Sequence, residues 1–241
     1  MESYNITISI SCSKLIGVIS MVNMLFSEYN FHERWAKDTI EKYINCNDKV
    51  LIIPFSFNEK IGNDMEWGYA YSKNNGKYYN SVILPFLSYG IAEENINWIN
   101  YFKDTKENAK EKVKKSDIIF FTGGLPDKMM CRLKEFDLIN DIENFTGIII
   151  GSSAGAMIQI AEHHITPDED YDKFSYNIGL NLINDFSIEV HYEETETQKN
   201  YINKVLNEKK DRIYAIKNTG GIIVDNNQIT LLGDIEIFNR E

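Results

Sequence analysis

The sequence predicts an α/β fold, a three-layer αβα arrangement around a mostly parallel, doubly wound central sheet. Three observations carry that expectation. Val50–Pro54 (V-L-I-I-P), Ile118–Phe121 (I-I-F-F) and Ile148–Ile150 are short apolar runs without polar alternation, the pattern of strands buried on both faces. Segments with helical patterning separate them, and strands alternating with helices are the signature of a parallel sheet. The last two runs end in small residues, Thr122-Gly123-Gly124 and Gly151-Ser152-Ser153. In a doubly wound sheet, ligands sit beyond such carboxyl ends.

Taken in order, residues 5–12 alternate with period two and read as a strand with one polar face. Ile16–Phe26 is apolar but too short and too interrupted to cross a bilayer. Phe31–Asn45 carries charges around Trp35, Ile40 and Tyr43, as an amphipathic helix does, and Asn58–Tyr71 is a second helical stretch. Asn74-Asn75-Gly76-Lys77 is a turn signal, and Ser81–Phe86 reads as a strand around Val82-Ile83-Leu84. Lys103–Lys115 mixes lysines with Glu107 and Glu111, a solvated helix face. A helix through Met129, Met130 and Leu133 follows Pro126, and another follows the run at Ile148.

Beyond an acidic loop, Thr166–Asp172, the segment Phe186–His191 alternates and puts His191 at a strand's carboxyl end. Gln198–Glu208 is helical in pattern. The chain closes on short strands at Ile213–Ile216, Gly221–Val224 and Gln228–Leu232, with turns at Asn218-Thr219-Gly220 and Asp225-Asn226-Asn227. Neither a repeat nor a linker tract interrupts the chain, so residues 1–241 read as a single α/β domain.

The composition narrows the function. A formal net charge of −11 over 241 residues argues against a nucleic-acid surface. Three widely spaced cysteines, Cys12, Cys46 and Cys131, suggest neither a disulfide framework nor a zinc site. The first residues lack the charged start and cleavage site of a secretion signal, so the expected location is cytoplasmic, without a membrane partner.

The most informative stretch is Gly151-Ser152-Ser153-Ala154-Gly155, which has the G-x-S-x-G form of a nucleophile elbow. A sharp strand-to-helix turn exposes the central serine, and the free N–H groups at the helix start face the place where an oxyanion would develop. The same small residues could instead hold a phosphate or permit close packing. Among the histidines, His32 reads as a surface residue, and the adjacent His163 and His164 cannot form one chelating face. His191 has the strand-end position that a general base for Ser153 needs. An acid to orient it could be Glu162, Asp168, Glu169, Asp170, Asp172, Glu193 or Glu194, and the residues alone do not choose.

With Gly123-Gly124, Gly151–Ala156 and His191 in this order, the chain resembles the serine peptidase family of dipeptidase E and cyanophycinase, over roughly residues 48–235. The resemblance implies a sheet architecture similar to class I glutamine amidotransferases, with Ser153 as nucleophile and His191 as base. It implies the Gly124 and Ala154 N–H groups as oxyanion donors and no cofactor or metal. Ungapped spacing from the serine implies Asp168 as the acid, with Glu169 or Asp170 as alternatives. The chain departs from the family at Glu196, where dipeptidase E has an arginine thought to hold the substrate's aspartate. It also departs at Tyr192-Glu193-Glu194.

Two readings follow. One is a serine peptidase acting on small peptides, with Glu196 favouring neutral or basic first residues over aspartate. The other is an inactive relative that binds a small molecule or partner in the same cleft. A glutamine amidotransferase is a distant third, because no cysteine stands at the elbow. A monomer and a homodimer are both compatible with the sequence.

Overall fold

The computed structural model describes residues 21–240. In chain order these form β1 (Val22–Phe26), α1 (Lys37–Ile40), β2 (Val50–Ile53), α2 (Asp64–Tyr71), α3 (Tyr79–Ser88) and β3 (Ile96–Trp98). There follow α4 (Lys106–Lys114), β4 (Ile118–Phe121), α5 (Pro126–Glu135), α6 (Ile139–Glu143), β5 (Ile148–Ser152) and α7 (Ala154–Met157). The remainder comprises β6 (Glu162–Ile165), β7 (Ser175–Ile178), β8 (Ser187–Glu189), α8 (Glu196–Glu208), β9 (Arg212–Asp225) and β10 (Gln228–Asn239).

One sheet runs β10-β9-β1-β5-β4-β2-β3, with β8 pairing β9 off that path. Its centre is parallel: β5 lies between β1 and β4, and β2 joins β4 to β3. Only β9 against β1 and β10 against β9 run antiparallel in it. The apolar runs explain why the centre is where it is. Ile52, Phe120 and Ile150 pack on one face with Ile40 of α1 and Val82 and Phe86 of α3. Their neighbours Leu51, Ile53, Ile119, Phe121 and Ile149 pack on the other, with Val113 of α4, Met129 and Leu133 of α5 and Ile142 of α6. Side chains alternate across a strand, so a run that is apolar at every position must be covered on both sides. The three layers are therefore αβα, with a mostly parallel sheet.

Several elements differ from expectation. The reading of residues 5–12 as a strand lies outside the described residues. Ser81–Phe86 is not a strand but part of α3. Tyr79, Val82, Ile83 and Phe86 are buried while Leu84 is 49% and Leu87 39% exposed, the 3.6-residue period of a helix face. Phe31–Asn45 is mostly turns, with helix only at α1. The apolar Ile16–Phe26 contains β1, which pairs with both β5 and β9 and is buried along its length. The strands expected at Ile213–Ile216 and Gly221–Val224 are one strand, β9, and the residues read as a turn between them form a bulge. Lys217, Asn218 and Thr219 lie between two pairs, Ile216 with Ile235 and Gly220 with Gly233, where β10 has Asp234 alone. The antiparallel pair β6–β7 and the edge strand β3 were not anticipated. Among the described residues no helix is long and apolar enough to cross a membrane.

Candidate active site

The turn from β5 into α7 separates the two serines. Ser152 is 1% exposed and donates its hydroxyl to the Glu28 carbonyl at 3.0 Å. Ser153 stands at φ 52° and ψ −117°, a strained conformation that costs on the order of 1–3 kcal/mol and needs outside support. Part of that support is its N–H, which donates to the Phe26 carbonyl of β1 at 2.8 Å. Gly155 permits the turn: a Cβ there would sit 2.2 Å from the Phe121 carbonyl oxygen of β4. The Ser153 side chain borders a cavity of about 600 Å³ beyond the carboxyl ends of the strands.

The Gly123-Gly124 turn after β4 reaches the same place. A Cβ on Gly123 would lie 3.3 Å from the Ser153 Cβ, so the two turns are in contact. Gly124 has φ +132°, and a Cβ on it would meet the Ser56 carbonyl oxygen at 2.5 Å, so only glycine fits. The Gly123 N–H donates to the Tyr29 hydroxyl at 2.8 Å. Burial pushes that phenol up to about 12, against the lowering effect of the Gly123 N–H. Among the described residues the N–H groups of Gly124 and Ala154 have no hydrogen-bond acceptor. Two unpaired donors beside a half-buried serine that borders the cavity are what an oxyanion requires.

His191 follows β8, also in a left-handed conformation, with φ 50°. Its N–H donates to the Ser27 hydroxyl at 3.0 Å, and Ser27 donates to the Ile216 carbonyl at 2.8 Å. The Gln198 side-chain amide holds the His191 carbonyl at 3.0 Å. Its Nδ1 lies 2.9 Å from Asn218 Oδ1 and 3.6 Å from Glu28 Oε1, and the ring borders the cavity that Ser153 borders.

The acids named from the sequence are elsewhere. Asp168 is exposed, and its Oδ1 accepts the N–H groups of Asp170 and Tyr171, which closes its own loop rather than meeting the imidazole. Tyr171 fastens that loop to α5 through Asp127, a bond that together with burial raises the phenol's pKa. Glu162 pairs with Lys209 and Glu194 with Lys217, while Glu169 lies away from the cavity. Asp168, Asp170 and Glu193 border the cavity without touching His191. The partner at Nδ1 is instead a neutral amide, and the nearest carboxylate belongs to Glu28.

Glu196 also departs from expectation. It is the first residue of α8, exposed and outside the cavity wall. The helix begins at Thr195, whose hydroxyl accepts the Gln198 N–H at 3.2 Å, and a carboxylate in the first turn complements the helix dipole. A second cavity of about 310 Å³ shares Gly124 and Asp170 with the first and is lined by Tyr29, Phe57, Tyr71 and Tyr78.

Comparison with known proteins gives the family and the fold. The model of peptidase family S51 matches residues 69–232. The chain belongs to peptidase family S51. The S51 chain is similar in fold to a crystal structure described as a "putative peptidase E protein" from Listeria monocytogenes EGD-e. That match has 21% identity and a TM-score of 0.62, over 88% of this chain and 97% of the other. It is also similar to a peptidase from an acI-B1 Actinobacterium, with 15% identity and a TM-score of 0.60, over 92% and 91% of the two chains. No curated protein matches the sequence itself.

Sequence reasoning missed three parts of the S51 site. The loop after β1, Ser27–Asn30, touches every functional segment, but nothing in S-E-Y-N announces that. Asn218 was read as a turn residue, and only the bulge in β9 turns it towards His191. His164 was discounted only as a metal ligand and Glu189 was not singled out, yet they are buried and joined at 2.8 Å in the cavity wall. Their separate strands gave no signal of that meeting.

Proposed function

We propose that this S51 member is a serine peptidase that hydrolyses small peptides. Ser153 Oγ attacks the scissile carbonyl carbon, and His191 Nε2 takes its proton. The oxyanion is held by the Gly124 and Ala154 N–H groups. The imidazolium then gives its proton to the departing amine, and water repeats the sequence on the acyl-serine. Asn218 Oδ1 accepts Nδ1–H, which fixes the tautomer that leaves the Nε2 lone pair free for the serine. An amide carries no charge, so Glu28 supplies the electrostatic help to the imidazolium. Both side chains of that pair are partly exposed, and the help is correspondingly modest.

The observation that carries this reading is the strained Ser153, with its hydroxyl open to the cavity and two unpaired N–H groups beside it. Strain of this kind persists where surrounding structure enforces it, and it clusters at functional sites. A fluorophosphonate probe tests the proposal without knowledge of the substrate. The expected result is covalent labelling of wild type and none of Ser153→Ala. A folded wild type that resists the probe would support an inactive relative that binds a ligand in the same cleft.

A further inference from the structure

The wall of the larger cavity contains a buried carboxylate whose role the hydrolytic steps do not explain. Glu189 is 6% exposed and His164 2%. Glu189 Oε2 lies 2.8 Å from His164 Nε2 and accepts the Thr166 hydroxyl at 2.9 Å. His164 Nδ1 lies 3.2 Å from the Ser187 hydroxyl. His164 Nε2–H donates to Glu189 Oε2, and either atom of the Ser187–Nδ1 contact can be the donor.

The second oxygen, Oε1, has no partner among the described residues, and Glu189 forms part of the cavity wall. A carboxylate taken out of water with one oxygen doubly bonded and the other unpaired favours any donor that enters, and a cation most of all. The remaining wall has the same sign. Asp168, Asp170 and Glu193 border the cavity, and among the described residues neither lysine nor arginine does. Field lines from several carboxylates converge in such a concave site.

From this geometry we infer that Glu189 Oε1 is the seat of a primary ammonium group, and that ligands of this cavity carry one. In a peptide the group is the free α-amine of the first residue or the side chain of a lysine. That these ligands are substrates rests on the peptidase reading, but the seat does not. It also moves the expected preference for neutral or basic first residues from Glu196, which lies outside the cavity, to a residue inside it.

Calorimetric binding of leucinamide and N-acetyl-leucinamide tests the seat without any turnover. Leucinamide should bind wild type at least tenfold more tightly than its acetylated form. In Glu189→Gln the amide oxygen can still accept from His164 and Thr166, so thermal unfolding should change little while the preference falls to within threefold. Glu189→Asp keeps the charge but withdraws the oxygen, and it should fall between the two. N-acetyl-lysinamide distinguishes the sources: binding near that of leucinamide means a side-chain ammonium takes the seat, and binding as weak as N-acetyl-leucinamide means an α-amine is required. Equal binding of free and acetylated leucinamide by wild type would overturn the inference. So would an undiminished preference in Glu189→Gln, which would leave Glu189 as a brace between β6 and β8. Ser153→Ala should keep the full preference. A protein that shows it but resists fluorophosphonate would lose the peptidase reading and retain the seat.

Discussion

The elbow at β5–α7 and the loop after β1 lie side by side, for the strands are parallel neighbours in register from Val22 with Ile148 to Phe26 with Ser152. They build the site in opposite ways. The elbow holds its instructions locally, in glycines and small residues within a few positions of Ser153. The β1 loop acts only at a distance. Phe26 fixes the Ser153 N–H, Ser27 the His191 backbone, the Glu28 carbonyl Ser152, Tyr29 the Gly123 N–H, and Asn30 the Asn218 carbonyl. One region presents the proposed nucleophile and the other holds the framework around it.

The sharpest way to break that division is to compare substitutions in each. Ser153→Ala should lower kcat/KM of a cleaved peptide by about a thousandfold or more. Ser152→Ala should stay within a few fold and cost about 1 kcal/mol of stability, through loss of the Glu28 contact. Comparable losses of activity in the two would mean that the serine roles are misassigned.

The next effect belongs to the framework. Asn218→Ala should reduce kcat by about ten- to a hundredfold with little change in KM, since the imidazole loses its orienting acceptor. Asn218→Asp should remain within a few fold of wild type, because a carboxylate accepts the same N–H. Activity unaltered in Asn218→Ala would leave a bare Ser–His dyad.

Tyr29→Phe should be milder. It leaves the Gly123 N–H without its acceptor, and about 1–3 kcal/mol of stability should be lost in denaturant unfolding. A loosened Gly124 donor should lower kcat by about tenfold. An unfolding midpoint and turnover both equal to wild type would show that the glycine turn holds itself.

The smallest expected effect on turnover is a background titration. His163 is buried, and neither ring nitrogen has a hydrogen-bond partner of good geometry. Burial, with His164 beside it, lowers its pKa from 6.5 to about 4. The unfolded chain therefore binds this proton more readily. The stabilising contribution is complete above pH 6.5 and is lost as pH falls from 6.5 towards 4, with a slope of at most about 1.4 kcal/mol per pH unit. His163→Gln should flatten that part of the stability curve while leaving relative activity at neutral pH unchanged. An unaltered curve would assign the acid sensitivity to other groups.

The same contrast accounts for how much could be read in advance. The sheet centre was legible because Val50–Ile53, Ile118–Phe121 and Ile148–Ile150 are apolar at every position, which only coverage on both faces explains. Ser153 and His191 could be singled out as candidates because a turn type and a strand end mark them, and Gly124 and Ala154 followed from the family resemblance. Val82-Ile83-Leu84 misled because three apolar residues suit either a strand or a helix, and the buried Tyr79 and Phe86 that decide lie outside the triplet. Asp168 misled because spacing along the chain says nothing of where a loop folds back on itself. Glu28, Asn218 and the His164–Glu189 pair depend on contacts between distant strands, which no local pattern encodes.

The bulge in β9 has a consequence in the arithmetic of chain length. Three residues, 217–219, oppose one, Asp234, so β9 carries an excess of two. Two is the repeat of a strand, and the faces stay in phase through the irregularity. Tyr214, Ile216 and Ile222 share one cluster, while Ile213, Ala215 and Ile223 face the other side. An even change of length here can be absorbed with the core intact, though a deletion of two would take Asn218 with it. An odd change inverts one half of the strand against the other, sending Ile222 to the side that Ile223 packs on and Ile223 to the side of Ile216. Parity, more than composition, thus governs which insertions and deletions this segment can tolerate.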